Sequence, residues 1–232
     1  MTETYLFDPP AQPALALVGE IPKFPVRRIF CVGRNYAAHA AEMGNEVDRE
    51  ATFYFTKSAH TVCPSGSEIA YPAGTRDCHY EMEFVVALGG DLFQAEGAEA
   101  MEAVLGYACG IDLTRRDLQG QAKEKRRPWD LGKDFEDAAI LGPITRRDAF
   151  GEIADQRLKL FMDDREVQSA TLDEMVWSVP EILSHLSRFY HLTAGDLIMT
   201  GTPAGVGPVH PGARLEGRID GLEPVEVTIA NA

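Results

Sequence analysis

Apolar positions along the chain come in short runs broken by polar and glycine-bearing stretches, a spacing that predicts many strands and few helices. Arg28 to Val32 reads as a short buried strand, and Gly33-Arg34-Asn35 turns the chain. Asn35 then stands where it can cap a helix from Tyr36 to Met43, since its side chain can accept from the open N–H groups of a first turn. Residues 44–51 are polar and read as a mobile loop. Strand-like runs follow at 52–56, 68–71 and 80–88, a helix at 94–104, a buried strand at 105–113 and a helix of mixed charge at 114–125. Further strands fit 157–162, 165–169, 196–200, 214–219 and 223–229, with Asp163-Asp164 as a hairpin turn. Ser178-Val-Pro-Glu181 is a capping box with Pro180 in the first turn, opening a helix that runs to Tyr190.

The strands outnumber the helices and do not alternate with them. This argues against a doubly wound sheet and predicts an α+β, mainly β domain. No internal repeat, G-x-G-x-x-G or Walker motif is present, and GTPAGVG (201–207) is too loose for a phosphate loop. The proline-bearing residues 1–27 read as a lead-in segment, and residues 28–232 as one domain with a sizeable core.

Composition adds exclusions. Hydrophobic residues make up 45% and charged residues 25%, ordinary globular values. The net charge of −14 argues against nucleic acid or an anionic membrane surface as a partner. It also means that a pocket for an acidic substrate needs a local cation. The longest apolar runs are too short to span a bilayer. The N-terminus has no basic region followed by an apolar stretch, so a cytoplasmic location is expected. Cys31, Cys63, Cys78 and Cys109 are scattered and read as buried reduced thiols.

The stretch from His79 to Leu88 carries the first chemistry. As a strand it puts Met82, Phe84, Val86 and Leu88 on one face, and Glu81, Glu83, Val85 and Ala87 on the other. A solvated face would stay polar along its length; this one turns apolar. Two carboxylates within about 7 Å resist joint ionisation when partly buried, unless a cation lies between them. Asp112, ending an apolar strand, is a third candidate ligand, and a hard dication prefers such oxygens. On these residues alone, a solvated carboxylate pair fits as well as a metal site.

His39 and Glu42 are three apart in a predicted helix and so are surface neighbours. A carboxylate beside imidazole raises its basicity and suits a water-activating base, although an exposed pair without a role has the same spacing. His185 reads as an ordinary helix-face residue. Cations gather between Arg115 and Lys133, a reversal of sign in an acidic chain. Lys123 to Arg127 read as a solvated helix end. Arg116, four past Asp112, and Lys133, in strand-like context, draw more interest.

Four segments together resemble the fumarylacetoacetate hydrolase family: CVGRNYAAHAAE (31–42), HYEMEFVVAL (79–88), GYACGIDLTRRDLQ (106–119) with PWDLGKDF (128–135), and GDLIMTGTPAGVGPV (195–209). They occur in the family's order and spacing. Within it, the first block and the RRDLQG…PWD pattern are most similar to bacterial fumarylpyruvate hydrolases and related acylpyruvases. The resemblance implies a mixed β-sandwich roll with a few short helices, usually as a homodimer. It implies Mg²⁺ or Mn²⁺, with Ca²⁺ a third choice, held by Glu81, Glu83 and Asp112, and no organic cofactor. It also implies a His39–Glu42 catalytic pair on a lid segment, and substrate contacts from Arg116, Gln119, Lys133 and Thr202. Tyr80 stands where some relatives carry His, a difference that touches the surroundings of the ligands.

The chemistry these residues suit is hydrolysis of a 2,4-dioxo acid, with fumarylpyruvate, from aromatic catabolism via gentisate, as the favoured substrate. Arg116, Gln119 and Thr202 would fix the pyruvoyl end. His39, helped by Glu42, would deprotonate water, and Lys133 would stabilise the oxyanion. Arg34, or one of Lys123 to Arg127, is a candidate for a distal carboxylate. Oxaloacetate decarboxylation or keto–enol isomerisation on the same fold is the rival reading, and a non-catalytic small-acid binder a second.

Overall fold

A computed structural model describes residues 4–44, 49–50 and 52–231. The loop expected at 44–51 falls mostly on 45–48 and 51, which lie outside the described residues. Strands dominate, and the six helices among the described residues are short. The α+β, mainly β class expected from the sequence is what forms.

The main sheet runs in the order Phe53–Lys57, Arg28–Gly33, Asp196–Met199, Met82–Leu88, Val104–Asp112, Ala139–Leu141, Val62–Pro64, with Thr145–Arg146 pairing to Val104–Asp112 off this path. It is mixed: Asp196–Met199 lies parallel to Arg28–Gly33, and Ala139–Leu141 parallel to Val62–Pro64. A second sheet runs Arg165–Thr171, Arg157–Met162, Arg214–Ile219, Val225–Ile229, Ser67–Ile69. The hairpin turn between its first two strands uses Asp163 and Asp164 at φ 51° and 63°, left-handed positions that short acidic residues tolerate and that match the strand twist.

Met82–Leu88 explains how the sheets stack. Its residues Met82, Phe84, Val86 and Leu88 enter one core with Leu158, Leu160, Leu215, Val225 and Val227. Val85 and Ala87 enter a second core with Ile29, Cys31, Leu197 and Met199, to which Leu15, Leu17 and Phe24 also belong. Both faces are buried, which is why the run 84–88 is apolar throughout. Each large side chain so removed from water contributes about 1.5–3 kcal/mol. Leu15 and Phe24 come from a hairpin of Ala14–Ala16 and Lys23–Pro25, so part of the expected lead-in packs into a core.

Several local expectations need correction. The first helix is Ala37–Glu42 and its cap is Tyr36, not Asn35. Asn35 is fully buried, and its side chain bonds across the fold instead: it donates to the carbonyls of Thr200 (2.8 Å) and Trp177 (3.0 Å) and accepts from the Trp177 N–H (2.7 Å). The helix expected at 94–104 shortens to Ala98–Glu102, because Val104 already begins a paired strand. The mixed-charge helix is Arg116–Glu124, while Thr114–Arg115 pairs antiparallel with Cys78–Tyr80. Lys133 ends a single helical turn, Asp130–Lys133, rather than sitting in a strand. The helix opened by Ser178 is Val179–Ser187, with both capping-box bonds made and Ile182, Leu183 and Leu186 buried. All four cysteines are free and buried.

Candidate metal and active site

Antiparallel pairing of Met82–Leu88 with Val104–Asp112 sets Met82 opposite Ile111 and Glu83 opposite Gly110. Glu81 sits at the break just before its strand, where its carbonyl accepts the Asp112 N–H at 2.8 Å. Three carboxylates thus converge: one oxygen each of Glu81, Glu83 and Asp112 lies within 4.8 Å of the others, and all three residues are buried.

The three are not compensated alike. Glu81 accepts from Lys133 Nζ (2.8 Å) and from Arg116 Nη2. Burial alone would raise its carboxyl, but the Lys133 and Arg116 charges outweigh burial and hold it well below the carboxylate range. Asp112 Oδ2 accepts from Lys133 Nζ at 2.7 Å. Its Oδ1 lies 2.8 Å from Lys57 Nζ, yet Lys57 directs its hydrogen bonds at the carbonyls of Leu113 and Lys133, so Oδ1 accepts none. Glu83 has no cationic partner among the described residues; Oε2 accepts the Gly201 N–H at 2.7 Å. Burial, then the charges of Asp112 and Glu81, push its carboxyl well up.

A divalent cation fits this arrangement. The donors are hard oxygens, one buried carboxylate oxygen is left without a hydrogen bond, and one carboxylate is left without a counter-charge. The Lys133 ammonium lies against two of the three. Burial disfavours its charge, but Asp112 and Glu81 more than restore it, so it stays cationic. Its three N–H bonds go to Glu81, Asp112 and Thr114 Oγ1 (2.6 Å), with the Phe55 ring centroid 4.8 Å away.

Of the ten sequence-predicted site residues, Arg34, His39, Glu81, Glu83, Arg116, Gln119, Lys133 and Thr202 line a single cavity. Asp112 lies beneath it, fully buried. Glu42 stands beside His39, with Oε2 at 3.4 Å from Nδ1, and accepts the Gly205 N–H at 3.2 Å. Burial lowers the His39 imidazole below its ordinary value, against the pull of Glu81 and Glu42, so the ring is neutral at pH 7. Arg116 Nη1 donates to Gln119 Oε1 at 2.8 Å. Thr202 Oγ1 accepts from Gln168 Nε2 at 2.9 Å, while Gln168 Oε1 accepts the Met82 N–H at 2.9 Å.

Sequence reading missed Lys57, Gln168, Asn35, Phe55 and Trp129. Lys57 left a usable signal: on Phe53–Lys57 it shares a face with Phe53 and Phe55, an odd place for a lone ammonium. Gln168, lying far along the chain among exposed polar neighbours, left none. Lys123, read as part of a solvated helix end, in fact lines the cavity. His185 sits half-buried on its helix with Nδ1 2.7 Å from Thr52 Oγ1, remote from the carboxylates in its contacts.

A mixed β-sandwich roll with three buried carboxylates and a histidine–glutamate pair around one cavity is the frame of a divalent-metal carboxylate enzyme. The model for "Fumarylacetoacetate (FAA) hydrolase C-terminal" matches residues 28–230, and the chain belongs to that family. It is 44% identical over 193 residues to a fumarylpyruvate hydrolase of Ralstonia sp, covering 82% of this chain and 100% of that one. It is 34% identical over 204 residues to an oxaloacetate tautomerase of Escherichia coli (strain K12), covering 88% and 93%. The crystal structure of fumarylpyruvate hydrolase from Pseudomonas aeruginosa in complex with Mn²⁺ and pyruvate superposes with a TM-score of 0.95 at 44% identity, covering 99% of this chain and 100% of that chain. No helix among the described residues is long and apolar enough to cross a membrane.

Proposed function

We propose that this enzyme hydrolyses the carbon–carbon bond of a small acylpyruvate, with fumarylpyruvate giving fumarate and pyruvate, and that residues 28–232 are its catalytic domain. The observation that carries the reading is the convergence of Glu81, Glu83 and Asp112 within 4.8 Å beside a cavity that also exposes His39. The 44% identity to a fumarylpyruvate hydrolase supports the choice of acyl group.

Glu81, Glu83 and Asp112 would hold Mg²⁺ or Mn²⁺. When bound, the ion supplies a Lewis acid for the 2-oxo acid end of the substrate. The chain's own groups do the rest. Arg116, Gln119 and Thr202 orient the pyruvoyl end; Gln119 and Thr202 are pre-set by Arg116 and Gln168. With Nδ1 turned to Glu42, His39 keeps Nε2 for a water and takes its proton as that water attacks the 4-keto carbon. Lys133 stabilises the developing oxyanion once it gives up one of its three hydrogen bonds. The C3–C4 bond then breaks, and the electron pair passes into the pyruvate fragment, whose keto group accepts it.

The second reading is keto–enol tautomerisation of oxaloacetate, favoured by the 34% identical tautomerase. It needs no activated water, so the His39–Glu42 pair, with His39 buried and Glu42 at the surface, favours hydrolysis. The deciding assay supplies Mg²⁺ and offers fumarylpyruvate, acetylpyruvate and oxaloacetate side by side. Pyruvate with an equimolar free acid supports hydrolysis; pyruvate with CO₂, or enol–keto exchange alone, rejects it. A cytoplasmic homodimer acting in aromatic breakdown via gentisate belongs to the same proposal, and sedimentation velocity tests its oligomeric part.

A further inference from the structure

Away from the carboxylates lies a second cavity of about 550 Å³, within the roughly 300–1,000 Å³ of small-molecule sites. It sits between the helical turn Arg147–Phe150, the loop after it, the turn Leu172–Glu174 and the start of the helix Val179–Ser187. It shares no lining residue with the cavity of His39 and Glu81. Tyr107, in its lining, stands five residues before Asp112 on Val104–Asp112, roughly 17 Å along the strand.

Two polar groups in this cavity have unused donors. Tyr107 is 1% exposed, and its ring packs on Phe84 and Phe150 with centroids 4.9 Å from each. Its hydroxyl makes no hydrogen bond among the described residues, a costly state for a buried donor. Burial raises that hydroxyl above its ordinary pKa, against the charge of nearby Arg147, so it stays protonated. Arg147 gives one N–H to the Met101 carbonyl and has no carboxylate in ion-pair reach among the described residues, and its guanidinium is always charged. The remaining walls are apolar: Met101, Leu172, Met175 and Val179. Asp148, Glu152 and Asp173 are exposed at the mouth. The Leu172–Met175 wall is also tied to the catalytic segment. Met175 pairs with Tyr36, the cap of the helix that carries His39. The Val176 N–H donates to the Asn35 carbonyl at 2.8 Å, and the Trp177 N–H to Asn35 Oδ1 at 2.7 Å.

We infer that this cavity is a second ligand site, for an apolar monocarboxylate that acts on the catalytic segment from behind. Its carboxylate accepts from the Arg147 guanidinium and the Tyr107 hydroxyl, and its body lies against Met101, Leu172 and Met175. The acids at the mouth repel a second negative charge, so the site selects a monoanion with a neutral body. An occupant packed on Leu172 and Met175 holds residues 172–177, and through their bonds to Asn35 and Tyr36 it steadies the helix of His39. None of this depends on the proposed reaction.

The probe is phenylacetate, with 2-phenylethanol as its uncharged counterpart and terephthalate as a dianion. Protein saturated with Mn²⁺ and oxalate, so that the metal site is filled, is titrated calorimetrically with each, as wild type, R147Q, R147K and Y107F, all checked by thermal melt. Phenylacetate is expected to bind wild type about 10-fold or more tighter than either control, the size of a charge-assisted contact. R147Q removes that margin and R147K keeps most of it. Y107F, which retains the ring, weakens phenylacetate by about 3- to 10-fold, the size of one hydrogen bond. No binding to wild type, equal binding of the uncharged probe, or binding unchanged by both R147Q and Y107F overturns the site; should R147Q unfold, Y107F decides. Amide hydrogen exchange with and without phenylacetate reads the coupling. Slower exchange at residues 35–43 in wild type and not in Y107F at the same subsaturating phenylacetate supports it, and unchanged exchange there with phenylacetate bound overturns it.

Discussion

The Lys57 ammonium lies 2.8 Å from Asp112 Oδ1, and neither side chain is reached by solvent. Asp112 thus sits between two lysines, Lys57 behind and Lys133 in front, each on a different side of the carboxylate. Lys57 also bonds the carbonyls of Leu113 and Lys133, so one ammonium fixes the strand end that carries Asp112 and the helical turn that carries Lys133. Removing Lys57 leaves Asp112 with Lys133 alone and strips the Leu113 and Lys133 carbonyls of their buried donor. Lys57→Met is therefore expected to destabilise the fold by about 3–5 kcal/mol. Urea unfolding of K57M, D112N and the double variant checks this; coupling near zero in the cycle would contradict the pairing.

Glu83 carries the next prediction. Without an ion its carboxyl is pushed well up by burial and by Asp112 and Glu81, toward the protonated form. Glu83→Gln mimics that state and should leave the melting temperature of the chelator-treated protein within a few degrees. A bound dication needs the ionised form. Mn²⁺ at about 100 times its Kd should stabilise wild type by about 2.7 kcal/mol, and E83Q by far less. Thermal melts with EDTA and with added Mn²⁺ measure both. An equal Mn²⁺ response in E83Q would take Glu83 out of the ligand set.

For His39, burial favours the neutral ring, so its folded pKa lies below the ordinary 6.5 for imidazole. The base is active when unprotonated. The acid limb of the rate profile should therefore lie at lower pH than an ordinary imidazole would give. The same sign makes His39 a destabilising group at acid pH, since the unfolded chain binds its proton more readily. Glu42 opposes the depression, so Glu42→Gln should move the acid limb to lower pH still. His39→Ala should cost about 10²-fold or more in kcat with Mn²⁺ binding intact. A kcat/KM profile with its acid limb above pH 6.5 would contradict the assignment.

How much of this was legible beforehand differs by element. Met82–Leu88 could be read because period-two alternation sorts Met82, Phe84, Val86 and Leu88 from Glu83, Val85 and Ala87, and the structure sends the first four to one core and Val85 and Ala87 to the other, with Glu83 at the site. Ser178 and Glu181 were legible because a capping box is a local device. Asn35 misled because capping and tertiary bonding ask for the same residue type, and a partner 142 positions away, Trp177, leaves no local trace. Lys133 misled because one helical turn is too short to have a period. The carboxylates could be nominated from Glu81, Glu83 and Asp112, but their meeting depends on the register that sets Met82 against Ile111.

Gly201 ties the register to the ligands and yields a last prediction. Its N–H is the donor to Glu83, and its φ is +100°, open to glycine and little else. A Cβ there would fall 2.9 Å from Asn35 Cβ and 3.1 Å from the Val32 carbonyl oxygen. Asn35 cannot retreat, because its amide is bonded to both Thr200 and Trp177. Gly201→Ala must then either strain the backbone, at about 1–3 kcal/mol, or turn the peptide and withdraw the N–H from Glu83. Both routes lower the melting temperature, but only the second alters the ligand. If the peptide turns, Mn²⁺ affinity falls together with stability; if it stays, stability alone falls. Calorimetric Mn²⁺ titration of G201A beside its unfolding curve separates the two, and a variant as stable as wild type would mean that the Asn35 contact yields freely.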